Sequence, residues 1–151
     1  PGQYSFIDFG SGKGLVVMLA AQQAFREVHG VEMAPVLHEI ARKNVGILEG
    51  QGASRAPITL ACGNALTYAW PDGNVIVYIY NPFDEELTSR FIDRILGEAG
   101  RNRRKVSIVY VNPVHKALFE RVPAFRGVYS DGTLSIYEYV GGSIGADREA
   151  R

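Results

Sequence analysis

The stretch that decides the fold reads Phe6-Ile7-Asp8-Phe9-Gly10-Ser11-Gly12-Lys13-Gly14, and the apolar run Leu15 to Ala21 follows it directly. Residues that favour strands give way here to alternating glycines and then to residues that favour helices. We therefore predict a strand that ends at Asp8 or Phe9, a tight loop, and a helix that starts near Lys13. Such a strand, loop and helix form the first half of a βαβ unit.

The glycine loop is suited to holding a ligand. Its glycines let the backbone turn sharply and leave no side chain between the loop and a bound molecule. The helix that follows points free N–H groups and its positive dipole end into the same space. The spacing of the glycines does not fit a phosphate site. A dinucleotide-binding fingerprint would need glycine at position 15, where the chain has Leu15. A P-loop would need glycine at position 7 and serine or threonine at position 14, where the chain has Ile7 and Gly14.

A carboxylate stands at the end of the predicted first strand. Asp8 would repel a phosphate and suits a cationic group. The pattern Asp-x-Gly-x-Gly-x-Gly resembles motif I of the class I S-adenosylmethionine-dependent methyltransferases, whose cofactor carries a sulfonium and an ammonium and no phosphate. For the pattern alone, a glycine-rich turn with a capping aspartate is the alternative. The resemblance implies that S-adenosyl-L-methionine is the cofactor and that its methionine part is held by Asp8, Gly10, Ser11, Gly12 and Gly14.

Composition limits the classes of protein to consider. The 151 residues suit one domain, and 46% apolar residues are enough for a substantial core. Basic and acidic residues balance at 16 each, so no overall field favours a membrane, and there is no strong nucleic-acid signal. The single Cys62 cannot form an internal disulfide, which fits a reducing, cytoplasmic location. The sequence offers no Cys/His cluster with the spacing of a metal site.

The chain begins at Pro1, and the first strand is predicted almost at once. We expect a cofactor-binding domain over residues 1–141 that lacks an upstream segment, followed by a polar tail over residues 142–151. In the family that the glycine loop resembles, such upstream segments commonly cover the cofactor and select the substrate.

A second acidic residue follows the glycine loop at about twenty positions, the distance expected for a ribose-binding acid. Glu27–Glu32 reads as a short strand, and Glu32 at its end is placed to accept hydrogen bonds from ribose hydroxyls. Glu32 matches the ribose-binding acid of the resembled family, and a capping or solvated glutamate is the alternative. Met33 and Ala34 would then lie under the adenine ring, with a core position as the alternative for Met33.

The third predicted strand is Ile58–Cys62, and Gly63, Asn64 and Ala65 follow it. In the resembled family an Asp or Asn at this point accepts a hydrogen bond from the adenine amino group. Asn64 carries both a donor and an acceptor, so it can read adenine, with Ala65 beside it. An ordinary Gly-Asn turn is the alternative.

The most apolar strand, Asn74–Tyr80, delivers Asn81-Pro82-Phe83 at its C-terminal end, where open α/β sheets place their chemistry. This tripeptide resembles a shortened Asn/Asp-Pro-Pro-Phe/Tyr motif of amino-group methyltransferases, and it is similar to the Asn-x-Phe of histone lysine methyltransferases. The resemblance implies that Asn81, Pro82 and Phe83 contact the acceptor and that Asn81 also reaches the cofactor. A strand terminator and helix cap, with Phe83 in the core, is the alternative.

The remaining segments complete an α/β pattern. Apolar spacing predicts helices over 35–48, 84–96 and 114–122, a basic loop over 97–105, a fifth strand Val106–Val111, and a hairpin of 125–129 and 133–140 around Ser130-Asp131-Gly132. The resemblance implies a Rossmann-like, mostly parallel sheet of order 3-2-1-4-5-7-6 with an antiparallel C-terminal hairpin.

Three functions remain open from the sequence. We favour an S-adenosylmethionine-dependent methyltransferase that acts on an unidentified small-molecule or protein acceptor, with an amine or a protein lysine nitrogen as candidates. A catalytically silent module that binds the same cofactor or a metabolite is the alternative, because no general base is evident near Asn81. A nicotinamide or flavin oxidoreductase is disfavoured by Leu15 and by the closing hairpin. The sequence does not reveal the oligomeric state.

Overall fold

The computed structural model describes residues 2–102 and 104–141. Strands and helices alternate over most of this part of the chain, and a hairpin closes it. The elements are β1 (Tyr4–Phe9), α1 (Leu15–Ala21), β2 (Glu27–Glu32), α2 (Pro35–Gly50), β3 (Ile58–Cys62), β4 (Asn74–Tyr80), α3 (Glu85–Asn102), β5 (Val106–Val111), α4 (Lys116–Glu120), β6 (Phe125–Ser130) and β7 (Leu134–Tyr139).

Within the described residues, the strands form one seven-stranded sheet of order β3-β2-β1-β4-β5-β7-β6. Strands β1 to β5 pair in parallel, whereas β7 is antiparallel to both β5 and β6. This confirms the predicted Rossmann-like sheet and its terminal hairpin. The chain order reverses at β1, which lies between β2 and β4, and open α/β sheets bind ligands at the carboxyl ends of the strands at such a point.

Two apolar layers hold helices against opposite faces of the sheet. Successive side chains of a strand point to opposite faces, so β1 contributes Phe6 to one layer and Ile7 and Phe9 to the other. Phe6 packs in the layer of α1 and α2, and Ile7 and Phe9 pack in the layer of α3 and α4. Asp8 follows the same alternation, and it therefore places a carboxylate on the α1 and α2 face.

The predicted hairpin turn is confirmed, and its geometry comes from Asp131. The Asp131 Oδ1 accepts hydrogen bonds from the backbone N–H groups of Thr133 and Leu134, both at 2.9 Å. Gly132 has a φ of 90°, in the left-handed region that favours glycine. The turn reverses the chain and places Leu134 opposite Val111 at the end of β5.

The first helix begins later than predicted. Gly14 has a φ of 85° and is left-handed, so the helix begins at Leu15 rather than near Lys13. Strand β1 ends at Phe9, as predicted, and the bounds of β2, β3, β4 and β5 agree with the prediction at both ends.

The prediction of a basic loop over residues 97–105 is wrong. Helix α3 continues through most of this region to Asn102. Ala99 is fully buried in the core, and Glu98 forms an ion pair with Arg94 of the preceding turn at 2.9 Å. This packing outweighs the cost of two glycines within a helix, which is about 1 kcal/mol each.

Two further predictions concern the later part of the chain. Helix α4 is shorter than the predicted segment 114–122 and spans only Lys116–Glu120. The predicted polar tail, residues 142–151, lies outside the described residues, so the division of the chain at residue 141 stays a prediction. No helix in the described residues has the length and apolar character that crossing a bilayer requires.

Candidate cofactor site

The carboxyl ends of β1, β2, β3 and β4 surround a cavity of about 360 Å³. Several of its walls are residues that the sequence singled out, and these come from four separate loops. A larger cavity of about 440 Å³ lies along β6 and β7 and holds none of the predicted site residues. The predicted residues that line the smaller cavity are Gly10, Glu32, Met33, Asn64, Ala65, Pro82 and Phe83.

The glycine loop is folded back onto the end of β2. The N–H groups of Gly10 and Ser11 both donate to the carbonyl of Val31, at 2.8 and 3.1 Å. Gly10, Gly12 and Gly14 all have positive φ, at 82°, 55° and 85°. A Cβ built on Gly12 would meet no atom within 4 Å, so the space beside this part of the loop is open to a ligand.

Gly10 is also the point where the glycine loop touches the Asn81-Pro82-Phe83 loop. A Cβ on Gly10 would lie 2.9 Å from the Cβ of Pro82, which is closer than two carbon atoms can pack. A side chain at position 10 would therefore push Pro82 away. The structure brings together two motifs, at residues 10–14 and 81–83, that lie far apart along the chain.

Gly30 is a structural residue of the site that sequence reasoning missed. It pairs with Asp8 in the parallel ladder between β1 and β2. A Cβ at this position would lie 2.7 Å from Val17 and 2.8 Å from Leu60, so only glycine lets α1 approach the sheet this closely. An isolated glycine inside a predicted strand is a signal of close approach, and it could have been used here.

Glu32 connects the glycine loop to the turn between β2 and α2. One carboxylate oxygen accepts from the N–H of Gly12 and the other from the N–H of Ala34, each at 2.8 Å. A carboxylate has about four acceptor positions, so sites remain for the hydroxyl groups of a ligand. Glu32 therefore has a structural role in the loop and can also face a ligand, because it lines the cavity.

Asp8 is a buried carboxyl group, and only 3% of its surface is exposed. Burial, and to a smaller extent the negative charge of Glu32, raises the pKa of Asp8 to about 7. Within the described residues, no hydrogen bond to its carboxylate offsets this cost. A cation placed beside Asp8 would favour its ionised form.

Asn64 forms the turn after β3, and it also lines the cavity. Its Oδ1 accepts from the N–H of Leu66 at 2.8 Å, and its carbonyl accepts from the N–H of Tyr68 at 3.0 Å. In the part of the chain that the structure describes, the Asn64 Nδ2 makes no hydrogen bond, so it can donate to a ligand. Met33 is 72% exposed at the same cavity, so the alternative that placed its side chain in the core is wrong.

The Asn81-Pro82-Phe83 loop is held from two sides. Asn81 has a φ of 38°, and its Oδ1 accepts from the Tyr110 hydroxyl at 2.9 Å. The Phe83 ring lies 5.1 Å from the ring of Phe91 in the core. Phe83 also lines the cavity, so its packing role and its position in the site are compatible.

Sequence reasoning missed several other residues of the cavity wall. Tyr80, the last residue of β4, is 61% exposed and lines the cavity. The apolar side chains lie within a few positions of the predicted motifs, and no sequence signal separates them from other apolar residues nearby. The missed wall residues are Val31, Gly63, Leu66, Tyr80 and Leu87.

Comparisons with known proteins find the fold but no near relative. No protein-family profile matches the chain, and no curated protein matches it. The chain superposes on an RNA methyltransferase from Salinibacter ruber in complex with S-adenosyl-L-homocysteine with a TM-score of 0.61, at 18% identity, over 97% of this chain and 86% of that one. The chain also superposes on magnesium protoporphyrin IX methyltransferase from Synechocystis PCC 6803 with bound S-adenosylmethionine. The TM-score is 0.60 at 16% identity, over 88% of this chain and 67% of that one.

A third solved structure is longer than this chain. The chain matches TrmN from Thermus thermophilus with a TM-score of 0.60 at 18% identity, over 93% of this chain but only 45% of that one. The protein thus has the fold of the class I S-adenosylmethionine-dependent methyltransferases. These neighbours have different acceptors, since one is a magnesium protoporphyrin IX methyltransferase and another is an RNA methyltransferase. The neighbours therefore give no support to the expectation, drawn from balanced charge, that nucleic acid is a poor candidate partner.

Proposed function

We propose that this protein binds S-adenosyl-L-methionine and transfers its methyl group to an acceptor. The observation that carries the proposal is the cavity in which the ends of β1 to β4 bring together Gly10, Glu32, Asn64 and Phe83. Structures of the same fold contain S-adenosylmethionine or S-adenosylhomocysteine, which supports this choice of ligand.

The residues present fit the chemical groups of this cofactor. Asp8 is a buried carboxyl group without a hydrogen-bond partner in the described residues, and it suits the cationic methionine part beside the Gly10-Ser11-Gly12-Lys13-Gly14 loop. The free acceptor positions of Glu32 suit ribose hydroxyls. Asn64, Ala65 and the exposed Met33 would surround the adenine ring.

Methyl transfer makes modest demands on the protein. When bound, S-adenosylmethionine would supply an electrophilic methyl group on its sulfonium. The acceptor atom attacks the methyl carbon in line, the carbon–sulfur bond breaks, and the neutral sulfide leaves. The protein binds, aligns and desolvates the reactants. In our proposal Asp8 and the glycine loop fix the donor end, and Asn81, Pro82 and Phe83 orient the acceptor. Phe83 is anchored on Phe91, so it presents a fixed apolar wall.

The acceptor and the cellular location belong to the proposal as well. An amine or a protein lysine nitrogen is a candidate acceptor because Asn81-Pro82-Phe83 resembles the motifs of enzymes that methylate such groups. The exposed Cys62, the only cysteine of the chain, supports a reducing, cytoplasmic location.

Calorimetry with S-adenosylhomocysteine tests the cofactor assignment. We expect saturable binding to one site, and Asp8→Ala should weaken it by about 1–3 kcal/mol. NAD serves as the matched control ligand, because its pyrophosphate should be rejected by Asp8. No binding of S-adenosylhomocysteine, or tighter binding of NAD, would contradict the proposal. Binding without methyl transfer from labelled S-adenosylmethionine to any member of a broad acceptor panel would instead support the silent module.

A further inference from the structure

The side chain of Asn81 is held from behind by a buried tyrosine. Tyr110, on β5, is only 1% exposed, and its hydroxyl lies 2.9 Å from the Asn81 Oδ1. The same hydroxyl accepts a hydrogen bond from the backbone N–H of His115 at 3.2 Å. These contacts form a chain from His115 through Tyr110 to Asn81.

The donors and acceptors of this chain fix the orientation of the Asn81 amide. A backbone N–H can only donate, so the Tyr110 oxygen is the acceptor in its bond with His115. Burial raises the pKa of Tyr110, so the phenol keeps its single proton and donates it to Asn81. A flipped amide would turn the Asn81 Nδ2 toward Tyr110 and leave the buried phenol proton without an acceptor.

The free side of the Asn81 amide therefore carries donors. Within the described residues, the Nδ2 of Asn81 makes no hydrogen bond, whereas one of the two lone pairs of its Oδ1 accepts from Tyr110. Asn81 lies between Tyr80 and Pro82, and both of these residues line the cavity. The two N–H bonds are thus available at the edge of the proposed acceptor site.

We infer that Tyr110 is a positioning residue that turns the donor side of Asn81 toward the methyl acceptor. This inference rests on the proposed function.

Nuclear magnetic resonance of the Asn81 side-chain amide tests the positioning role. Its two N–H signals are assigned by their loss in Asn81→Asp. In Tyr110→Phe, we expect the Asn81 signals to shift, because the bond to Oδ1 is lost. The matched control is Tyr137→Phe. Tyr137 lies on the neighbouring strand β7 and is buried, but it makes no hydrogen bond to Asn81, so the signals should stay in place.

A measurement on the unaltered protein does not depend on the variants folding. If the amide were flipped, its N–H protons would give strong nuclear Overhauser effects to the Tyr110 ring. Those effects, or unchanged Asn81 signals in a folded Tyr110→Phe variant, would overturn the positioning role. Weak effects to Tyr110 together with a shift in Tyr110→Phe would support it.

Calorimetry with S-adenosylhomocysteine on the same samples separates a failure of the positioning role from a failure of the proposed function, which would appear as absent S-adenosylhomocysteine binding.

Discussion

At the scale of single residues, Asp8 is the feature that most clearly opposes stability. A carboxyl group at 3% exposure, near the negative charge of Glu32, has its pKa raised from 3.8 to about 7. The unfolded chain releases this proton near pH 4, whereas the folded protein holds it until about pH 7. Below pH 4 the group is protonated in both states, so its contribution to stability is intact there. As the pH rises from 4 to 7 this contribution is lost and the free energy of unfolding falls, because only the unfolded chain releases the proton.

Asp8→Asn should consequently stabilise the ligand-free protein at pH 8. The expected gain in the free energy of unfolding is roughly 2–4 kcal/mol, and it should vanish near pH 4. Urea unfolding at the two pH values measures this gain. The contrasting variant is Asp131→Asn. Hydrogen bonds from Thr133 lower the pKa of Asp131 to about 2, so the folded protein favours its ionised carboxylate. Loss of that carboxylate should reduce the free energy of unfolding at pH 8. A destabilised Asp8→Asn at pH 8 would show that the carboxylate is stabilised in the folded protein.

At the scale of elements, the site depends on loops from separate strands touching one another. Glu32 joins the glycine loop to the start of α2 through two backbone N–H groups. Gly10 packs against Pro82, so the end of β1 contacts the end of β4. These contacts fix the spacing between the proposed cofactor and acceptor positions.

Gly10→Ala tests the contact between the two loops. A left-handed backbone costs alanine about 1–2 kcal/mol, and the 2.9 Å approach to Pro82 should add about 1–3 kcal/mol of overpacking. Gly12→Ala is the matched control, because it has a positive φ but open space around its Cβ. Thermal or urea unfolding should show Gly10→Ala as the less stable variant. Equal stabilities would mean that Pro82 moves aside without cost.

Glu32→Ala tests the connection between the glycine loop and α2. The substitution removes the acceptor of the Gly12 and Ala34 N–H groups as well as the proposed ribose contact. Binding of S-adenosylhomocysteine should weaken by about 1–3 kcal/mol in calorimetry. The same variant should lower the pKa of Asp8, because the negative charge of Glu32 helps to raise it. Unchanged affinity would remove Glu32 from the proposed ribose site.

At the scale of the whole molecule, the fold places a proton-binding group at its own proposed ligand site. The sheet order sets β1 between β2 and β4, and Asp8 is buried near the end of β1, where the charge of Glu32 acts on its carboxyl group. Ligand binding and proton release are then linked, since a cationic ligand favours the ionised carboxylate.

This linkage predicts how affinity depends on pH. Below pH 7, binding of S-adenosylhomocysteine through its ammonium requires Asp8 to lose a proton, so affinity should rise as the pH increases from 5.5 to 7. Calorimetry in buffers with different ionisation enthalpies should detect the released proton. In Asp8→Asn the affinity should be weaker and nearly independent of pH over this range. A flat profile in the unaltered protein would contradict pairing with Asp8.

The sequence by itself determined most of the sheet and the position of the site along the chain. The bounds of β2, β3, β4 and β5 and the Asp131-Gly132 turn follow from local patterns of apolar, β-favouring and turn residues, which act over a few positions. Because parallel strands end at one edge, Glu32, Asn64 and Phe83 could be expected to meet, and all three line one cavity.

Tertiary structure alone decided the contacts that connect distant segments. The length of α3 depends on the packing of Ala99 in the core and on the ion pair between Glu98 and Arg94. Position 30 must be glycine because α1 approaches the sheet closely there. The bond between Tyr110 and Asn81 joins β5 to the loop that follows β4. Local sequence patterns do not determine these contacts, because most of the residues involved are far apart along the chain and meet only after the strands have assembled into the sheet.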